Sequence, residues 1–257
     1  MKQFIRRMSS DLASLRLKYK EKKDVFLEKD IELKEPFHLF RKWLDDACKT
    51  PEILEPNAVC LSTATKEGVP VVTICSDEKC YRYRINILHQ LRQSQSQRNC
   101  KLSIPPVVFG SHKRKIFQNE NPHVAMTFYW VPLRRQVRVE GKAEKVPTSD
   151  SEEYFHQRPR DSQIGALASP QSQTIPGRDY LDQIEAEIRQ KLGPDGVVPL
   201  PNWGGYLVVP HRFEFWQGQS NRVHDRIQFR KTDDTTAVDN KLVFQGEKDW
   251  VYERLAP

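Results

Sequence analysis

Residues His123–Gly141 read HVAMTFYWVPLRRQVRVEG. The first eight, His123–Trp130, are rich in aromatic and β-branched side chains, the composition that suits a pleated, half-buried surface. A turn at Val131–Leu133 follows, and then Arg135, Val137 and Val139 alternate with Gln136, Arg138 and Glu140. A period of two sends successive side chains to opposite faces, so one face of this strand is buried and the other is polar. The stretch therefore predicts a β-rich domain.

Working outward, Asn57–Ala64 (NAVCLSTA) and Val69–Cys75 read as strands joined by the turn TKEG, and short strands follow at Gly204–Val209, Arg212–Gln217, Arg226–Arg230 and Trp250–Arg254. Helical patterns occupy 10–27, 36–49, Ser149–Gln157 and Tyr180–Leu192. In the second, Phe37, Phe40, Trp43 and Leu44 recur at helical spacing and mark a core face. The stretch RPRDSQIGALASPQSQTIPGR (158–178) reads as loop-rich. Strands do not alternate with helices, and neither GxGxxG nor GxxxxGK is present, which argues against a nucleotide-binding α/β fold. The expected organisation is an N-terminal helical arm, 1–35, and a single mainly β domain with added helices, 36–257.

Composition narrows the function classes. No apolar run approaches the roughly 18 residues of a membrane span, and the start, MKQFIRRMSSDLASLRLKYK, lacks an apolar signal segment. A basic, serine-bearing start also suits a mitochondrial leader, but Asp11 and the helical pattern after it weigh against one. The five cysteines have no paired metal spacing and fit free thiols in a reducing cytoplasm. The seven histidines form no metal motif, so no metal is expected. A net charge of +7 suits nucleic acid or small phosphorylated ligands. Nine Lys/Arg from Lys79 to Lys115, with Tyr81, Tyr83 and Phe109, give the nucleic-acid option some support, but no RNA or DNA module is present.

The densest polar constellation is Phe213–Arg226, FEFWQGQSNRVHDR. Arg222 and His224 are two apart, so on an extended segment they point the same way, with Arg226 following. Two guanidiniums and an imidazole suit an anionic, planar ligand, since arginine grips phosphate with two N–H groups and stacks on rings. An edge strand with solvated charges and a buried Trp216 would use the same residues. In YFHQRPRDS, Tyr154 and Arg158 share a helix face, and Ser162 stands where a new helix would present free N–H groups to an anion. An ordinary helix end with surface charges is the competing reading. Gln171 and Ser172 lie in a polar loop of the kind that hydrogen-bonds a flavin edge or only its own turn.

FEFWQGQSNRVHDR resembles the signature of the pyridoxamine 5'-phosphate oxidase family, which closes in Arg-x-His-Asp-Arg. The resemblance extends through EPNAVCLSTATKEG, NPHVAMTFYW, RRQVRVEG, YFHQRPRDSQIGALASPQS, WGGYLVVP and DWVYERLAP. It implies an antiparallel, FMN-binding split β-barrel homodimer with FMN at the dimer interface. It also implies oxidation of pyridoxamine 5'-phosphate and pyridoxine 5'-phosphate to pyridoxal 5'-phosphate, with O2 as acceptor. By resemblance, Gln136, Gln171, Ser172, Trp216 and Arg226 contact FMN, and Tyr154, Arg158 and Ser162 hold the substrate phosphate. Arg222 and His224 are the catalytic pair beside the substrate ring, and Arg16 and Tyr19 correspond to an arm that closes over substrate.

The chain departs from the family pattern at about 71–110. Thr73 stands where the family has an Arg for the FMN phosphate, and no Lys-Gly follows. Only Ser111–Lys115 is similar to the family's later Ser-Arg-Lys, which makes Lys113 and Arg114 the expected phosphate ligands. The alternative expectation is a catalytically impaired relative that binds B6 phosphate but holds FMN poorly.

Overall fold

The computed structural model describes residues 25–75, 121–233 and 237–257. Among them are helices α1 (Pro36–Cys48), α2 (Thr148–Gln157), α3 (Arg160–Ala168) and α4 (Arg178–Leu192). The strands are β1 (Val59–Ala64), β2 (Pro70–Cys75), β3 (His123–Trp130), β4 (Arg135–Lys145), β5 (Tyr206–Gln217), β6 (Asp225–Lys231), β7 (Val243–Gln245) and β8 (Trp250–Arg254). They form one sheet in the order β2-β1-β3-β4-β5-β6-β8-β7. The pairs β1–β2, β1–β3, β6–β8 and β7–β8 are antiparallel, as hairpin-rich sequences with short connections favour.

The chain divides into two compact units. The first comprises Met1–Leu54, Tyr129–Val137 and Phe213–Pro257. Its core is aromatic. Pro36 opens α1 with its φ already helical, and the Glu35 carboxylate accepts from His38 N at 2.7 Å. Phe37, Leu39, Phe40, Trp43 and Ala47 are buried at the spacing of one helix face. Phe37 meets Phe213 edge-on at 5.1 Å, and Trp43 meets Phe215 at 5.3 Å, arrangements that the ring quadrupoles prefer.

The second unit comprises Glu55–Phe128 and Arg138–Arg212. Phe155, Ile164, Val198 and Trp203 form its core beside α2 and α3, with Ile188 and Leu192 of α4 packed against them. Arg160 Nη2 donates to Gly193 O at 2.7 Å and Nη1 to Gly196 O, which ties α3 to the end of α4. Ser151 Oγ accepts from Gly205 N at 3.3 Å, tying α2 to the loop that carries Trp203. Gly141 on β4 lies so close to β5 that a Cβ there would meet Val209 O at 2.5 Å and Val208 Cγ1 at 2.9 Å.

The strand at His123–Trp130 has the expected bounds, and Val137 and Val139 are fully buried, as the alternation requires. Three expectations need correction. Residues 160–168, read as part of a loop, form α3, whose apolar face is too weak to show in the pattern. The two strands expected at Gly204–Val209 and Arg212–Gln217 are one continuous β5 running through Pro210. Residues 25–27, expected to end a helix, are non-helical, and a short 3-10 turn follows at Glu28–Asp30. The rest of that helix, with Arg16 and Tyr19, lies outside the described residues, as does the basic segment 79–115.

Candidate active site

The second unit places Tyr154, Arg158 and Ser162 within one short stretch. Arg158 lies past the end of α2 with an extended backbone, so Tyr154 and Arg158 do not share a helix face as the spacing of four suggests. Tyr154 and Arg158 sit on the last turn and cap of α2, and Ser162 sits in the first turn of α3. Pro159 stands between the helices with an extended backbone, the conformation its ring favours before a helix. Both side chains lean on Trp203: the Tyr154 ring lies 5.6 Å from the indole, and the Arg158 guanidinium lies 5.6 Å from its centroid. Arg158 Nη1 also donates to Ser162 O at 3.4 Å.

A cleft of about 660 Å³ opens here, within the size range of small-molecule sites. Arg158, Ser162, Gln171, Asn202 and Trp203 line it. The N–H groups of Arg160, Asp161 and Ser162 form the open first turn of α3, where an anion is favoured. Asp161, the acid of that turn, is paired with Arg189 at 2.8 Å, which offsets its charge. The cleft can therefore take an anionic group against Arg158 with a planar group nearby. Ser172 has φ 66°, a left-handed conformation uncommon outside glycine, and such strain collects at ligand sites. Trp203 is the member that residue chemistry missed. The signal was present as an isolated tryptophan in WGGYLVVP, behind the turn residues of 201–202.

The first unit holds Gln136, Trp216, Arg222, His224 and Arg226. Gln136 lies on β4 and Trp216 on β5, both half-buried. The rings of Trp216 and His224 are 4.8 Å apart. Burial pushes His224 below the usual histidine value, and the neighbouring Arg222 charge adds to that, while Asp225 opposes it. Nδ1 of His224 accepts from Gln219 N at 3.0 Å. Arg226 Nε donates to Glu214 at 2.8 Å and Nη1 to Ala256 O at 2.7 Å.

One geometric premise fails. Residues 218–224 are a turn, not an extended strand, and Arg222 has φ 64° with its N–H bonded to Gln219 O. Spacing of two therefore does not align Arg222 with His224. The turn instead bonds both to the Gln219 backbone and sets His224 against Trp216. Lys113 and Arg114 lie outside the described residues. Among the described residues no group of His, Cys, Asp and Glu could hold a metal.

Residues 104–191 match the family model described as pyridoxamine 5'-phosphate oxidase, and residues 203–257 match the pyridoxine 5'-phosphate oxidase C-terminal dimerisation region. The chain is 43% identical to a pyridoxine/pyridoxamine 5'-phosphate oxidase of Bombyx mori, covering 99% of this chain and 92% of that one. It is 40% identical to the pyridoxine-5'-phosphate oxidase of Bos taurus, over 96% and 88%. Among solved structures, PhzG from Burkholderia lata 383 matches with TM-score 0.65 at 23% identity, covering 91% of this chain and 98% of that one, and so shares the fold. With full-length relatives at this identity and both family models matched in order, the chain belongs to the pyridoxine/pyridoxamine 5'-phosphate oxidase family.

Proposed function

We propose that this chain is an FMN-dependent oxidase that converts pyridoxamine 5'-phosphate and pyridoxine 5'-phosphate to pyridoxal 5'-phosphate, with O2 as electron acceptor. The observation that carries the reading is the cleft lined by Arg158, Ser162 and Trp203, with the Tyr154 ring packed on the same indole. It supplies a fixed guanidinium fork and the open end of a helix to a phosphate monoester. The relatives named above are oxidases of these vitamers.

The residues suit a flavin on its ring side. Gln136, Gln171 and Ser172 have side chains that make no hydrogen bond among the described residues, so their amides and hydroxyl are open to a heterocycle edge. Trp216 offers an indole face, and Nη2 of Arg226 is uncommitted among the described residues. These five would hold FMN, with Lys113 and Arg114 at its phosphate. When bound, FMN supplies the two-electron acceptor chemistry.

The chain's own residues do the rest. Arg158, Tyr154 and Ser162 grip the substrate phosphate and so fix one end of the substrate. Arg222 places a positive charge beside the substrate ring, and His224, whose neutral form burial and that charge favour, assists it there. The match at 203–257 to a dimerisation region supports a homodimer. Among the described residues no helix is long and apolar enough to cross a membrane, and we place the protein in the cytoplasm, without membrane or nucleic-acid partners. A single FMN-binding domain, 36–257, preceded by an arm, is the proposed organisation. Incubating purified protein with FMN and pyridoxamine 5'-phosphate, while following oxygen uptake and aldehyde formation, tests the reading. No aldehyde at saturating FMN would refute it.

A further inference from the structure

The functional reading leaves Asp225 without a task, although it stands between His224 and Arg226. Its side chain is buried, and three donors engage its carboxylate. Oδ1 accepts from Arg254 Nη1 at 2.8 Å; Oδ2 accepts from Gln219 Nε2 at 2.7 Å and from Phe26 N at 3.0 Å. Gln219 is 4% exposed, and its backbone N–H is the donor to His224 Nδ1 at 3.0 Å. Arg254 is fixed from its other side by Glu28, at 2.7 and 3.0 Å, and by Phe26 O at 2.9 Å. Arg254, Asp225, Gln219 and His224 thus form one hydrogen-bonded chain.

A backbone amide can only donate, so His224 Nδ1 must be the acceptor and the neutral ring carries its proton on Nε2. Trp216 packs against the ring, and Arg222 and Asp225 are the charged groups that act on it. Burying a carboxylate with three donors stabilises a fold no better than an apolar group of similar size, so packing alone does not call for Asp225.

We propose that Asp225 is a positioning residue that acts through Gln219 to hold His224 in one orientation and one tautomer for the oxidation. This rests on the reading of His224 as a catalytic residue. Gln219 cannot turn while its amide is tied to Asp225, and Asp225 cannot turn while Arg254 and Phe26 hold it. The terminal strand β8 and the segment at Phe26 thereby stiffen the turn that carries Arg222 and His224.

The test is a double-mutant cycle on the FMN-loaded protein. Asp225→Asn keeps the side-chain size and is expected to lower kcat by roughly ten- to a hundredfold, the scale on which small misplacements act. The KM for pyridoxamine 5'-phosphate and the bound flavin should stay within about twofold, because the phosphate grip is elsewhere. In a His224→Ala background the same change is expected to cost less than about twofold, since the residue it acts through is gone. Gln219→Met leaves the Arg254–Asp225 pair in place, so it guards against loss of the fold, and it should repeat the pattern. Nitrogen NMR of the His224 ring needs no turnover: a single neutral Nε2–H tautomer is expected in the parent protein and a mixture in both variants. An equal loss of kcat in both backgrounds overturns the proposal, as does an unchanged His224 spectrum in both variants. If the parent protein shows no oxidase activity but the ring spectra change as expected, the positioning role stands and the oxidase reading falls.

Discussion

The Arg158 guanidinium lies 5.6 Å from the centroid of the Trp203 indole, so the cation of the cleft rests on an aromatic wall of the same cleft. Trp203 is 6% exposed and packs with Phe155 and Ile164, which makes the wall part of the core of its unit. A long, flexible side chain is thereby held in one place before any ligand arrives, which lowers the ordering cost of binding.

Arg158→Ala is expected to raise the KM for pyridoxamine 5'-phosphate by roughly ten- to a hundredfold, since a charge-assisted hydrogen bond contributes about 1.5–3 kcal/mol. Unphosphorylated pyridoxamine should lose little. Steady-state kinetics on both substrates check this, and equal losses would remove Arg158 from the phosphate site.

His224 gives a pH prediction. Its folded-state pKa is pushed below 6.5 by burial first and by Arg222 second. The neutral ring is therefore favoured in the fold, and its contribution is in place above 6.5 and lost as pH falls through the folded value. The acid limb of turnover should lie below 6.5, and Arg222→Leu should move it upward by removing a like charge. That substitution should also depress turnover far more than flavin content. A pH–rate profile with flavin quantitation decides both points; a limb that stays put or moves down on Arg222→Leu contradicts the assignment.

FMN affinity should be low for a family member. Thr73 sits mid-strand in β2, opposite Leu61, at the position where the family resemblance leads one to expect an arginine. Losing two charge-assisted contacts, at about 1.5–3 kcal/mol each, weakens binding by roughly two to four decades. Quenching of flavin fluorescence on titration measures it directly. Nanomolar affinity would show that Lys113, Arg114 and their neighbours rebuild the phosphate site, and would leave the impaired-relative reading without support.

Gly141→Ala should destabilise the second unit. Its Cβ would press on the Val209 carbonyl at 2.5 Å, and backbone atoms of a paired strand yield little. A cost on the order of 1–3 kcal/mol follows from such overpacking. Chemical denaturation at fixed FMN would detect it as a lower midpoint.

Much of the fold was legible because its signals are local. The alternation at Val137 and Val139 and the spacing of Phe37, Phe40 and Trp43 need only neighbours in sequence to be read, and both face the core as expected. Helix α3 was not legible, because Gly165 and small residues leave it a weak apolar face, and its stability comes from Ile164 docking beside Trp203 and from Arg160 reaching the 193–196 loop. Strand β5 was read as two because Pro210 interrupts the pattern, whereas the chain continues extended through it. Of the candidate site, the nearness of Tyr154, Arg158 and Ser162 was legible because they are close in sequence, though Arg158 leaves the helix at its cap. The relation of Arg222 to His224 was not, since it depends on a left-handed residue in a turn. Trp203 and Asp225 owe their roles to partners far away in sequence, Tyr154 and Arg158 for the one and Arg254 and Phe26 for the other, and no local pattern encodes those contacts.

The most direct test of the account is turnover of pyridoxamine 5'-phosphate at saturating FMN, measured beside unphosphorylated pyridoxamine under the same conditions. The account predicts one aldehyde formed per O2 consumed, with kcat/KM for the phosphorylated substrate higher by at least about tenfold, one charge-assisted contact's worth. Absence of aldehyde from either substrate, or equal kcat/KM for both, would contradict it.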